Sequence, residues 1–549
     1  MSFLDKERTI AGPGFNRWLV PPAALAIHLC IGMAYGFSVF WLPLSRAIGL
    51  TQPIACGADI GFFAEVFSTT CDWKISLLGW MYSLFFIFLG LSAALFGGWL
   101  EHAGPRKAGV VAALCWCGGL VVSALGIYTH QIWLMWLGSG VIGGFGLGLG
   151  YISPVSTLIK WFPDRRGMAT GMAIMGFGGG AMIGAPLAVA LMKFFATPAS
   201  VGAWQTFLAL AAIYFVFMMA GAFGYRVPVS GWKPAGWTAP PTAANSMITS
   251  GHVHVSRVWG IPQFWLLWAV LTLNVSAGIG ILGMSSPLLQ EVFGGRLLGV
   301  DVAFNDLSLA QKGQIAAIAA GFTGLLSLFN IGGRVVWASC SDYIGRKNTF
   351  YAFFLLGLLL YASIPGFGHK AQLAFFVAAF CVIVSMYGGG FATIPAYIAD
   401  LFGTQNVGAI HGRILTAWAT AGVLGPVLVN YLREYQIASG VPKAQAYDVT
   451  MYVLAAMILA GLVCNALVRP IAAKHFMNPQ ALALERKLAH ERDSAGTGGN
   501  GGNGDQSSGT GKGGGATSPV LLVLAWAAVG IPLAIGIGIT LQKAVILFH

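Results

Sequence analysis

One side chain in this sequence is out of place chemically. Arg334 lies within a long apolar run, a few helical turns before Asp342. Placing an arginine near the middle of a membrane helix costs about 2.5–3.5 kcal/mol on insertion scales. Such a residue faces a partner or a cavity, or else its long side chain reaches back to the surface. By the run boundaries given below, 17 of the 18 acidic residues fall in loops and tails, and the other, Asp448, opens the twelfth run. An internal carboxylate is therefore not the partner, and an anionic ligand would supply the missing charge. A guanidinium fork meets a carboxylate in two parallel hydrogen bonds. His28 is a second candidate, roughly 15 Å into the first apolar run at 1.5 Å per residue. Its ring titrates near neutrality, so it can hydrogen-bond a ligand, carry a proton, or simply pack. Tyr35 follows two turns later on much the same face. Arg413 sits beside His411 at the start of another apolar run, where it either reaches the surface or touches the preceding loop.

The elements that carry these residues follow from composition. Of 549 residues, 57% are hydrophobic and 9% charged. A soluble protein carries about 25% charged residues, and a disordered one is far less apolar. The apolar runs have the length of membrane spans. They are expected at 18–42, 76–100, 108–128, 132–159, 167–192, 203–224, 263–289, 311–339, 348–367, 371–398, 407–432 and 448–469, with a thirteenth at 518–541. The first run is too long for a cleaved signal peptide. With the N-terminus in the cytoplasm, most of the 30 basic residues fall on the cytoplasmic side, as the positive-inside bias requires. The net charge of +12 is scattered through these loops and forms no nucleic-acid-binding patch. The C-terminus is expected outside, in the periplasm-facing space of an inner membrane.

The chain repeats itself. Glu101-His-Ala-Gly104-Pro105-Arg106-Lys107 follows the second span, and Asp342-Tyr-Ile-Gly345-Arg346-Lys347 follows the eighth. Gly171 and Gly412 share the same offset, as do Gly184 and Gly425. This gives an all-α membrane protein of two parallel six-helix halves, a known transporter construction. Residues 1–224 form the first half, 225–262 a polar cytoplasmic link with His252, His254 and Arg257, and 263–470 the second half. Residues 471–517 form a cytoplasmic segment ending in a Gly-rich tether. The thirteenth helix, 518–549, hangs from that tether and can dock on the bundle in cis. Glu101, Arg106, Asp342 and Arg346 are gating candidates, since acids at helix ends can pair with bases when the inner side is shut. Arg413 is a gate candidate if it meets the loop before it.

Cys56 and Cys71 share the long outer loop between the first two spans and are expected to pair in an oxidising space. The other six cysteines lie inside apolar runs or, for Cys340, at the end of one, as packing residues. The run Gly144-Phe-Gly146-Leu-Gly148-Leu-Gly150 resembles a dinucleotide loop, but it lies inside an apolar span with no preceding strand and so fails its context test. Gly176 to Gly184 and Gly422 to Gly425 read instead as close helix packing. No His/Asp/Glu cluster has metal-ligand spacing, and no nucleophile has a base nearby in sequence, so neither an enzyme nor a cofactor site is expected.

The acid–Gly–base turns resemble the signature loop of the major facilitator superfamily; the first copy departs from it, with Glu101 for the usual Asp and Pro105 where a base is expected. Within it, three stretches resemble the oxalate/formate antiporter family. They are Ile27-His-Leu-Cys-Ile-Gly-Met-Ala-Tyr-Gly-Phe-Ser-Val-Phe40, Tyr151-Ile-Ser-Pro-Val-Ser-Thr-Leu-Ile-Lys-Trp-Phe-Pro-Asp-Arg-Arg-Gly167 and Gly388-Gly-Gly-Phe-Ala-Thr-Ile-Pro-Ala-Tyr-Ile-Ala-Asp-Leu-Phe-Gly403. The resemblance covers roughly residues 15–470. It implies a secondary transporter of small carboxylates such as formate, oxalate, lactate or pyruvate, alone or with protons or a counter-anion. It implies Arg334 as the carboxylate anchor, with Tyr151 and Trp418 lining the cavity. No second cation lies deeper than Arg413 in the span 407–432, which favours a monocarboxylate over oxalate. Efflux of drugs and a transporter-like sensor are the competing readings in the same fold.

Overall fold

The computed structural model describes residues 3–50, 54–57, 60–229, 232–236, 247–484, 487 and 517–545. The Gly-rich tether and the last four residues lie outside them. Helix α1 opens at Val20–Ile31, tightens to a 3-10 helix over Gly32–Phe40 and closes at Trp41–Leu44. Then follow α2 (Ile75–Ala103), α3 (Pro105–Tyr128), α4 (Ile132–Met135, a π-helical stretch Trp136–Gly143 and Gly144–Trp161), α5 (Arg166–Phe195) and α6 (Ala203–Gly224). The second half holds α7 (Pro262–Phe293), α8 (Leu309–Ile344), α9 (Arg346–His369), α10 (Leu373–Phe402), α11 (Val407–Ile414 and Thr416–Ala438) and α12 (Asp448–Leu467). Helix α13 is Pro519–Ala544. Among the described residues, β structure is limited to two isolated bridges.

Among the described residues, twelve segments are long and apolar enough to cross a membrane. Helix α8, the carrier of Arg334, is 36 residues long, and its stretch 314–331 holds no acid or base. Several helices outrun the apolar windows. Glu101, Glu291 and Asp400 consequently lie in the terminal turns of α2, α7 and α10, not in loops. The backbone ladder continues past the hydrophobic stretch because helix ends tolerate charge near water.

The two acid–Gly turns have the same shape. Gly104 has φ 83° and ψ 162°, and Gly345 has φ 86° and ψ 148°. Both stop one helix and start the next in a conformation that disfavours any side chain. The other repeated glycines sit at equivalent crossings. A Cβ on Gly171 of α5 would strike the Arg334 carbonyl of α8, and one on Gly412 of α11 would strike the Ala93 carbonyl of α2. Gly184 presses on Met33 of α1, and Gly425 on Ser276 of α7. The first pair of crossings joins the halves; the second ties α5 and α11 into their own half. Backbones can approach this closely only where no Cβ intervenes.

Helix α13 lies against α8, α5 and α1. Thr540 meets Gly324, and Leu533 meets Gly179. Its start is pinned to the N-terminal segment: the Asn16 N–H donates to Thr517 Oγ1 (2.8 Å), and Trp526 Nε1 donates to the Trp18 carbonyl (3.0 Å). The link between halves is strapped to both. Val227 donates to the Thr9 carbonyl (2.8 Å), and Val253 to that of Phe402 (2.9 Å).

On the face away from the N-terminus, Cys56 and Cys71 are bonded, with Cα atoms 5.0 Å apart. Asp72 beside them is buried and accepts from the N–H groups of Ile48 (2.7 Å), Gly49 (2.9 Å) and Ile54 (2.9 Å). Trp73 stacks on His130 at 4.1 Å. In membranes never exposed to reductant, a maleimide should label neither Cys56 nor Cys71. Replacing both with serine should release a 15-residue closure, about 3 kcal/mol on the loop-entropy scale, and lower the unfolding temperature. Ready labelling of either cysteine would contradict the pairing.

Candidate functional site

Arg334 is fully buried, so it does not reach back to the surface. Its Nε donates to Asn330 Oδ1 one turn earlier (3.0 Å), and Nη1 donates to the Ile174 carbonyl of α5 in the other half (3.0 Å). Nη2 has no hydrogen-bond partner among the described residues. The guanidinium carbon lies 5.4 Å from the Phe391 ring and 5.8 Å from that of Phe177, at cation–π range. Room for it is made by glycine. A Cβ on Gly178 of α5 would come within 3.1 Å of Nε, and one on Gly388 of α10 within 3.2 Å of Cγ.

Aromatic side chains from both halves close around this point. Phe177, Phe391 and Tyr151 pack on Trp418 at 5.2, 4.2 and 5.0 Å. Tyr35 meets Phe177 edge-on at 5.0 Å, and its hydroxyl shares a 2.7 Å hydrogen bond with Tyr387 of α10. His28 sits against Tyr151 at 5.4 Å. Its Nδ1 faces the Ala173 carbonyl and its Nε2 the Tyr151 carbonyl at 3.2 Å. His411 lies across Tyr151 at 6.1 Å. Arg334 exerts its charge on His28, Tyr35 and Tyr151.

The structure thus gathers five expected residues, Arg334, His28, Tyr35, Tyr151 and Trp418, around one point. Sequence reasoning missed Phe177, Tyr387, Phe391, Asn330 and His411. Asn330 had a signal, since i and i+4 share a helix face. What remains open in the cluster is polar and mostly donating. Beside Arg334 Nη2, the Tyr151 hydroxyl, Trp418 Nε1 and His411 Nε2 are buried without hydrogen-bond partners among the described residues.

The gating candidates separate. Asp342 pairs with Arg346 (2.5 Å) and accepts from the Met168 N–H of α5 across the halves (3.3 Å). Arg346 also reaches Asp400 (3.3 Å) and Ser341 Oγ. Glu101 pairs with Lys160 of α4 (2.7 Å) and abuts Gly408 of α11. Arg106 instead turns inward among Phe3 and Phe223 and donates to the Phe3 carbonyl (3.3 Å), so it bridges no halves. Pro105 displaces the base that would sit where Arg346 does. Arg413 donates to the Val255 carbonyl and lies over Trp259 (5.6 Å). It holds the inter-half link and not the loop before its helix.

The sequence pattern of the Major Facilitator Superfamily matches residues 24–426. The oxalate:formate antiporter of Oxalobacter formigenes is 26% identical over 75% of this chain and 83% of its own length. Apicoplast pyruvate carrier 1 of Toxoplasma gondii is 24% identical over 71% and 78%. Human monocarboxylate transporter 11 is 25% identical over 77% and 79%. Among solved structures, the proton:xylose symporter XylE superposes with a TM-score of 0.55 at 14% identity, covering 85% of this chain and 98% of that one. The human organic anion transporter TETRAN does so with 0.54 at 16% identity, over 83% and 100%.

The Asp342 contacts bridge the halves beside buried Ala169. In an Ala169→Cys chain lacking Cys340, Asp342→Asn should speed maleimide labelling of position 169 severalfold. An unchanged rate would show that these contacts do not hold this face shut.

Proposed function

This chain belongs to the Major Facilitator Superfamily, and we propose that it is a secondary transporter of small organic anions that binds carboxylates at Arg334. One observation carries the reading: a fully buried guanidinium whose Nη2 is unpaired, among buried donors that also lack partners. Leaving such a charge incompletely bonded costs several kcal/mol. A carboxylate offers only acceptors and would satisfy these groups together. The relatives named for oxalate, formate, pyruvate and monocarboxylates support the class. The single cation among aromatic rings favours a monocarboxylate.

Transport would proceed by rocking of the two halves about the glycine crossings α5–α8 and α2–α11. The Asp342–Arg346–Asp400 group and the Glu101–Lys160 pair would gate the N-terminal face. The chain would sit in an inner membrane with its N-terminus cytoplasmic. Helix α13 starts beside that N-terminus, so its far end would lie outside, and it would dock along α5 and α8 of its own chain.

A Gly324→Cys/Thr540→Cys pair should cross-link under mild oxidation at monomer mass. Dimer-mass products alone would mean that α13 packs on a second copy. Arg334→Gln should insert normally and bind formate, lactate and pyruvate about a hundredfold more weakly, from two charged hydrogen bonds at about 1.5 kcal/mol each. Arg334→Lys should recover only part of this, since the fork is lost. Titration of the purified Gln variant giving affinity within about twofold of the parent would remove Arg334 as the anchor.

A further inference from the structure

We infer that His28 is a proton site that fills together with the anion, an inference resting on the anion reading of Arg334. Both ring nitrogens of His28 face backbone carbonyl oxygens, Ala173 of α5 at Nδ1 and Tyr151 of α4 at Nε2. A carbonyl only accepts. A neutral imidazole has one N–H and one lone pair, so one contact is a hydrogen bond and the other sets lone pair against lone pair. Exchanging tautomers moves the conflict to the other nitrogen without removing it. Only the doubly protonated ring bonds at both ends. A histidine present merely to pack would need one donor and one acceptor around it.

The opposing influences are as specific. The ring is fully buried, with Phe177 of α5 edge-on at 6.4 Å. Helix α4 brings Tyr151, and α11 brings His411 beyond it. Helix α8 brings Arg334, the charged group among the described residues that acts on His28. No Asp or Glu from α3, α5, α6 or α13 faces it among the described residues. With the anion site empty, a second proton on His28 would place two like charges in a buried core. A carboxylate at Arg334 cancels that repulsion. A proton taken from water then adds to the free nitrogen lone pair and forms the second N–H···O bond. The site carries one positive charge when empty and one when loaded, because anion and proton arrive together. The cargo is therefore the neutral sum of both, which is symport of a carboxylate with a proton.

The test uses the purified full-length chain with formate, lactate and pyruvate as probes. Calorimetric titration in two buffers of different ionisation enthalpy counts protons taken up per anion, and repeating it across pH gives the slope of affinity. The parent chain should take up close to one proton per anion, and its affinity should fall with rising pH, approaching tenfold per unit. His28→Gln should bind with no linked proton and a flat pH profile. His411→Gln should keep the linkage. No proton uptake by the parent overturns the inference without any variant needing to fold. Linkage retained in His28→Gln, or lost only in His411→Gln, also overturns it. Failure of all three acids to bind the parent overturns the anion reading itself, and this inference with it.

Discussion

A guanidinium held on two of its three nitrogens, in the buried centre of a bundle, sets the terms for everything around it. Arg334 cannot be bonded only from its own helix; Asn330 takes Nε, but the next acceptor is the Ile174 carbonyl in the other half. That bond crosses the boundary between halves, so the charge doubles as a joint. To let the side chain lie there, α5 and α10 must thin to glycine at Gly178 and Gly388. The surrounding rings then serve two purposes. They exclude water, which strengthens any charge interaction inside, and Phe177 and Phe391 present their π faces to the cation.

The internal repeat surrounds this joint but is not symmetric. Gly104 and Gly345 make the same turn, and Gly171 and Gly412 make equivalent crossings. The backbone is therefore duplicated at these turns and crossings. The charges are not. Arg346 gathers Asp342, Asp400 and Ser341, whereas Arg106 is buried among Phe3 and Phe223, and Glu101 turns to Lys160. In the first copy Pro105 stands against Arg346 and moves the base along by one residue, and Ile159 and Leu100 stand where Asp400 and Ser341 would receive it.

Much of the architecture was legible because apolar length and glycine spacing are local properties of the chain. Arg334 was legible for the same reason, as a charge inside an apolar run. Its environment was not. The 3-10 stretch Gly32–Phe40 carries Tyr35 and begins where Gly32 passes close to the Phe177 carbonyl, a contact far away in sequence. Tyr387 and Phe391 sit in an ordinary apolar helix, and nothing about their types marks them until α10 is placed against α1 and α11. Arg413 misleads in the opposite way. It has the look of a gate, but its partner Val255 lies in the link, which has no periodicity to place it.

Helix α13 bears on the same centre from outside. On α5, Gly178 faces Arg334 while its neighbour Gly179 faces Leu533 of α13. A helix turn without side chains cannot cushion one contact from the other. Any shift of α5 against α8 that changes the grip on Arg334 also changes the surface that α13 rests on. Gly324 of α8 receives Thr540 two to three turns further along the same groove, and Met182 of α5 receives Gly536 between them. Helix α13 therefore touches both sides of the α5–α8 crossing, whereas α2–α11 has no such cover among the described residues. The proposed rocking, in opening α5 from α8, would either carry α13 along or break its contacts on one side. That makes the two crossings mechanically unequal even though their backbones repeat.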